Sequence, residues 1–296
     1  MMTPIDRTEK KHCAGVTAGS AIGYLLDLDG TVYRGDRLLE GASAAIAELR
    51  GRGRHIAFMT NKPLHSREDY ALKLTQLGIP ASEDDVITSS YVLATYLSEQ
   101  APKAKIFAVG EPPLLSELED AGLELCDEPD RVEYVVAAFD RGFNYDKLNC
   151  AFQAIRSGAR FVATNPDRTC PIEGGEIPDA AGVIAALEAT AGRAPEAIVG
   201  KPSHRMVQVG LDRLGVSPQM CAVVGDRLET DMIMAKENGL IAILTLTGVT
   251  SREALDHSPV CPDFVVSSIA ELPDVDRALE EQMRKRAREA TNRQEE

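Results

Sequence analysis

Asp27 and Asp29 lie one residue apart at the end of the apolar run Tyr24-Leu25-Leu26, and Gly30-Thr31 follow at once. A buried strand turns successive side chains to opposite faces. At its carboxyl end one carboxylate can therefore point into a crevice while the next follows the turning backbone. Two such acids can divide the labour of phosphoryl chemistry: Asp27 to attack phosphorus and form an aspartyl-phosphate, Asp29 to protonate the leaving oxygen and then activate water. An anion attacking an anionic phosphate calls for a hard cation such as Mg2+ on carboxylate and backbone oxygens. The rival reading is an Asp-Gly turn with both acids solvated.

Three more segments place polar residues directly after apolar runs. Ala57-Phe58-Met59 leads into Thr60-Asn61, a hydroxyl and an amide that can hold a phosphoryl oxygen without adding charge, or cap a helix. Ala197-Ile198-Val199-Gly200 leads into Lys201, where the following Pro202 disfavours helix. Its ammonium can neutralise both the nucleophile and the transferring group, although a lysine after a strand is more often a surface residue. Val223-Val224-Gly225 leads into Asp226, suited to bind the cation. Asp231 beyond it either orients that loop or is an ordinary helix N-terminal acid.

The elements that must carry these residues alternate between short apolar runs and amphipathic segments, the pattern of a parallel sheet covered by helices on both faces. Core strands are predicted at 24–26, 55–59, 197–199, 220–224, 241–246 and 264–266, and core helices at 42–50, 66–77, 91–99, 205–214, 230–238 and 252–256. Ligands of open α/β sheets bind beyond the carboxyl ends of the strands, where the residues above fall. Between Asn61 and Lys201 there is room for a second α/β unit, with strands near 106–109, 135–139 and 160–163 and helices near 114–121, 145–156 and 181–190. This reading gives an N-terminal extension 1–20, a core of 21–102 and 196–275, an inserted unit 103–195, and a charged tail 276–296 that is solvated or frayed.

In this order, each at a strand's carboxyl end, the four segments resemble the motifs of the haloacid dehalogenase superfamily over Gly23 to Pro273. The resemblance implies a Rossmann-like core, Mg2+ dependence, a phospho-aspartate at Asp27 and mostly phosphatase activity. It also implies that Asp27 binds metal through its side chain, Asp29 through its backbone carbonyl and Asp226 through its carboxylate. An insertion between the Thr60 and Lys201 motifs resembles the class II cap arrangement. Thr164-Asn165-Pro166-Asp167, with Pro171, Gly175 and Pro178, is similar to the NagD-like branch, class IIA, which includes nucleotide, p-nitrophenyl phosphate and sugar phosphate phosphatases. That branch commonly has Pro-Gly where this chain has Pro178-Asp179, a departure in the cap loop. Thr164, Asn165 and Asp167 are then candidates for touching the leaving group or supporting the cap's hinge, with a plain turn as the rival. Caps of this branch can also mediate a homodimer.

Composition narrows the partners. The 296 residues exceed the usual size of one compact domain, and 32 basic against 46 acidic side chains leave a net charge of −14. Such a surface repels a polyanion, which excludes nucleic acid, while a local cation site can still admit a small anionic substrate. The six cysteines show no Cys-x-x-Cys pair and no histidines at zinc spacing, as expected of a reducing compartment without structural metal. No signal-peptide run opens the chain, and no stretch approaches the ~18 apolar residues of a membrane span. A cytoplasmic location and no membrane partner are expected. The combined reading is a Mg2+-dependent phosphomonoester hydrolase for a small phosphorylated metabolite, a sugar phosphate or nucleotide monophosphate. A phosphotransferase or mutase would use the same residues, with a second hydroxyl in place of water. A non-catalytic phosphometabolite-binding regulator would betray itself by a missing motif residue, and none is missing.

Overall fold

The computed structural model describes residues 22–172 and 174–295, and the side chains of these apart from 171 and 286–295. The extension 1–20, with Cys13, lies outside the described residues. No disulfide joins the five described cysteines, and no described helix is long and apolar enough to cross a membrane.

The expected α/β, Rossmann-like architecture is present. Its main sheet is built around β1 (Gly23–Asp27). A hairpin of β2 (Tyr33–Arg34) and β3 (Arg37–Leu38) follows, and then β4 (His55–Thr60) and β5 (Val86–Thr88) extend the sheet on one side of β1. On its other side lie β13 (Cys221–Gly225), β14 (Ile241–Thr245) and β15 (Phe264–Val266), and every pairing in this sheet is parallel. The chain thus departs from β1 in both directions, and a crevice opens at the carboxyl ends where those directions diverge. All five residues of β1 are buried because both faces of the sheet are covered: Leu25 packs with Met59 and Val223 on one side, Tyr24 and Leu26 with Phe58 and Val224 on the other. This two-sided burial explains the unbroken apolar run. β5 is absent from the predicted strands because a three-residue strand carries no readable period, although all of it is buried.

A second parallel sheet contains β6 (Lys105–Val109), β7 (Glu124–Leu125), β8 (Tyr134–Ala137), β9 (Arg160–Ala163) and β12 (Ala197–Ile198) in the order β12-β9-β8-β6-β7. A hairpin of β10 (Thr169–Ile172) and β11 (Gly175–Pro178) follows β9. The run at 197–199 does not join the main sheet as expected; Ala197 and Ile198 pair with Val162 and Ala163. Val199 N–H donates to Ala163 O and Gly200 N–H to Thr164 O, so the second sheet extends past the expected boundary at 195. The cause is the open edge of β9, whose backbone groups need partners that the fully paired β1 does not.

Two further expectations are corrected. The predicted helix 230–238 begins as a wide, π-type turn, Leu228–Met232, before regular helix over Ile233–Glu237. Within that turn Asp231 is drawn out of a surface role by bonds to Lys201 and to the Arg227 N–H. The tail does not begin at 276, because the helix Leu272–Glu295 starts within the core. Asp276 is fully buried, accepting from Tyr24 Oη at 2.8 Å and Arg54 Nε at 2.8 Å and pairing with Arg52 at 3.0 Å, and Leu279 is buried beside it.

Candidate active site

The parallel register sets the site. Asp27 pairs with Met59 while Leu26 pairs with Val224, so Asp27 emerges level with the ends of β4 and β13, between the Thr60-Asn61 and Gly225-Asp226 turns. Asp27, Asp226 and Asp231 are all buried, and one carboxylate oxygen from each lies within 4.8 Å of the others. Lys201, 3% exposed, enters this group from the end of β12, its Nζ paired with Asp27 Oδ1 and with Asp231 Oδ1 at 2.8 Å.

Three carboxylates against the Lys201 ammonium and the nearby Arg227 guanidinium leave the buried cluster net negative. Burial pushes Asp27 above the ordinary carboxylate range. Lys201 opposes that shift, and Asp231 and Asp226 add to it. Burial and then Asp231 push Asp226 up to about 6. For Lys201 burial alone would lower the pKa, but Asp231 and Asp27 outweigh it and hold the ammonium above the usual lysine value. Asp226 uses Oδ2 to accept from Val249 N–H at 2.6 Å, while its Oδ1 is buried with no hydrogen-bond partner. A Cβ on Gly30, whose φ is +102°, would stand 2.7 Å from Asp226 Oδ2, and one on Gly248 would overlap the carboxylate. An orphaned anionic oxygen in a net-negative group of carboxylates is the donor set of a hard divalent cation, so these residues fit Mg2+.

The remaining expected residues fall into two groups. Thr60 and Asp29 line the pocket, and Asp29 stands outside the three-carboxylate cluster, accepting from Lys62 Nζ at 3.1 Å and Gly35 N–H at 3.4 Å. Asn61 also borders the pocket, but its carboxamide is occupied: Oδ1 accepts from Lys201 N–H at 2.7 Å, and Nδ2 donates to Lys201 O at 3.0 Å and Asp167 Oδ2 at 2.9 Å. Among the cap candidates Asp167 lines the pocket, whereas Thr164 and Asn165 are completely buried beneath it. Asn165 Nδ2 donates to Asp167 Oδ2 at 3.0 Å and Asp179 Oδ1 at 3.2 Å, and Thr164 Oγ1 donates to Asn165 Oδ1 at 2.7 Å. Their side chains support the loop that presents Asp167.

Sequence reasoning missed Lys62, Arg227, Thr230, Thr169, Cys170 and Asp179, which complete the lining. Lys62 and Arg227 directly follow Asn61 and Asp226, so adjacency was the available signal. Thr169, Cys170 and Asp179 come from the β10–β11 hairpin and the residue after it, whose fold back onto β1 no local pattern announces. Asp179 caps the helix Ala180–Ala191, and burial raises its pKa.

A family model described as haloacid dehalogenase-like hydrolase matches residues 24–124, and a HAD-hydrolase-like model matches 198–272. The sugar-phosphatase AraL of Bacillus subtilis is 39% identical over 256 residues, covering 86% of this chain and 93% of the relative. The structure of NagD from E. coli K-12 aligns with a TM-score of 0.78 at 29% identity, over 85% of this chain and 98% of NagD. That of a glycerol phosphate phosphatase from Mycobacterium tuberculosis in complex with magnesium aligns with a TM-score of 0.79 at 32% identity, over 86% of this chain and 77% of the other.

Proposed function

We propose a reaction from one premise: this chain belongs to the haloacid dehalogenase-like hydrolase family, in its NagD-like branch, and is a phosphatase. The reaction is Mg2+-dependent hydrolysis of small phosphomonoesters through an aspartyl-phosphate on Asp27. The observation that carries it is the placement of Asp27 at the end of β1, paired with the Lys201 ammonium and beside the orphaned oxygen of Asp226.

The Asp27 carboxylate attacks phosphorus as the ester P–O bond breaks, and Asp29 delivers a proton to the departing oxygen. Asp29 then takes a proton from water, whose oxygen attacks the phosphorus of the acyl-phosphate, releasing inorganic phosphate and restoring Asp27. Lys201 offsets charge on the nucleophile and the transferring group, and the Thr60 hydroxyl with the backbone around Asn61 receives the phosphoryl oxygens. Asp27, Asp226 and the Asp29 carbonyl would hold Mg2+, which supplies the positive charge that lets two anions approach. Asp231 fixes Lys201 and the Arg227 turn from behind.

Substrate choice is assigned to the second unit, which contributes Asp167, Thr169, Cys170 and Asp179 to the lining. A sugar or polyol phosphate is the favoured class. The named activities of the Bacillus and mycobacterial relatives point that way, and the pocket lining among the described residues is polar and without an aromatic ring to stack a base. With a net charge of −14 we place no nucleic acid among the partners; a homodimer through the second unit and a cytoplasmic location complete the reading. Phosphate release from a panel of phosphorylated metabolites, with Mg2+ or EDTA, tests it. Sugar phosphates should rank first and require the metal, and preferential turnover of nucleotides would overturn the substrate class.

A further inference from the structure

Lys201 belongs by backbone to the second sheet and by function to the first. Its strand pairs with β9, and Gly200 N–H donates to Thr164 O at 2.6 Å, yet its ammonium must meet Asp27 at the end of β1. Asn61 spans this seam. Its chemistry fixes its orientation, because a carboxylate can only accept and a backbone N–H can only donate: Nδ2 must face Asp167 and Oδ1 must face Lys201 N–H. The seam has no slack. A Cβ added at Gly200 would stand 2.6 Å from both Asn61 Oδ1 and Thr164 O. Asn61, Thr164, Asn165 and Lys201 are all buried, so water does not readily replace a lost bond.

We propose that Asn61 is a positioning residue through which the Thr164–Asp167 loop of the second unit sets the Lys201 ammonium against Asp27. The inference rests on Lys201 serving the reaction proposed above, and it gives the Asn61 side chain a task other than binding phosphate. Asp167 anchors one Nδ2–H, Lys201 takes the other and the acceptor, and Asn165 in turn anchors Asp167. The loop that borders the substrate pocket and the lysine that neutralises the nucleophile therefore share one carboxamide. When that loop shifts, the lysine shifts with it.

The test is a donor–acceptor exchange, read as kcat and KM for p-nitrophenyl phosphate and as inhibition by inorganic phosphate. N61D keeps the acceptor for Lys201 N–H but sets a carboxylate against both Asp167 and Lys201 O; kcat should fall about 100-fold, the scale of a small misplacement of a reacting group, with KM and phosphate inhibition little changed. D167N should lower kcat less than N61D does, since its amide can turn an oxygen toward Asn61. The double variant N61D/D167N restores a donor–acceptor pair across the seam and should recover about tenfold in kcat over N61D, the size of coupling expected of residues in contact. No recovery, or loss of phosphate inhibition in N61D, would overturn the inference. If N61D does not fold by circular dichroism, D167A replaces it: whatever it does to KM through the pocket lining, it should lower kcat about tenfold, and an unchanged kcat would overturn the proposal. D27N separates the two readings, because residual turnover there would defeat the proposed reaction itself whatever the exchange shows.

Discussion

Asp226→Asn should make the metal-free protein more stable while abolishing its response to Mg2+. Burial and the neighbouring Asp231 move the Asp226 pKa from 3.8 to about 6. Since the fold holds this proton more tightly than the unfolded chain does, the stabilisation is complete below the unfolded value and is lost as pH rises through about 6. Above that, the folded state carries a charge that Arg227 and Lys201 only partly offset, costing about 2–3 kcal/mol, because each tenfold gain in proton affinity is worth roughly 1.4 kcal/mol. The amide removes this cost and can keep an oxygen for Val249 N–H. At roughly 2–4 °C per kcal/mol for a protein of this size, the gain is about 4–12 °C in Tm. Thermal melts in EDTA should show that gain at about pH 7.5 and little of it near pH 4, below which both states are protonated. Adding Mg2+ should raise the Tm of the wild type and leave Asp226→Asn where it was. A variant no more stable than wild type in EDTA at neutral pH, or one still stabilised by Mg2+, would refute the claim that Asp226 is a strained carboxylate awaiting a cation.

Three further outcomes are expected. EDTA should abolish hydrolysis of a generic aryl phosphate and excess Mg2+ restore it; full turnover in the chelator contradicts the metal assignment. Asp29→Asn should cost far more with a sugar phosphate, whose alkoxide needs a proton, than with p-nitrophenyl phosphate. Equal losses would show that Asp29 acts through its pairing with Lys62 instead. Asp276→Ala should lower stability by about 2–4 kcal/mol in urea denaturation, because it leaves the part-buried Arg54 with Glu280 alone and the Tyr24 hydroxyl without its acceptor, whereas a loss below about 1 kcal/mol would place the start of that helix outside the core.

What the sequence made legible was the chemistry that local order dictates. An apolar run ending in Asp27, Thr60 or Asp226 reads as a buried strand delivering a polar group to its carboxyl end, and the parallel register then aligns those ends without further information. Lys201 was legible as a residue but not as part of a sheet, because two residues of strand look the same whichever edge they join. β9 offered the open edge. Asn61 looked like a phosphate ligand because a carboxamide after a strand can be one; only the folded chain brings Asp167 to its Nδ2 from 106 residues away. Asp276 read as tail because its partners, Tyr24, Arg52 and Arg54, are more than two hundred positions distant. Charge patterns describe a helix's own surface, and they do not report a core that arrives from elsewhere.

The whole scheme depends on Asp27 carrying the phosphoryl group. Single-turnover mixing of enzyme, Mg2+ and p-nitrophenyl phosphate, quenched in acid and followed by borohydride reduction and peptide mass mapping, examines that step itself, because an acyl-phosphate is reduced to an alcohol while a free carboxylate survives. The expected result is homoserine at position 27 alone, formed only when both substrate and Mg2+ are present. Reduction at any other aspartate, or nitrophenol release with no acyl-phosphate trapped at any quench time, would contradict it.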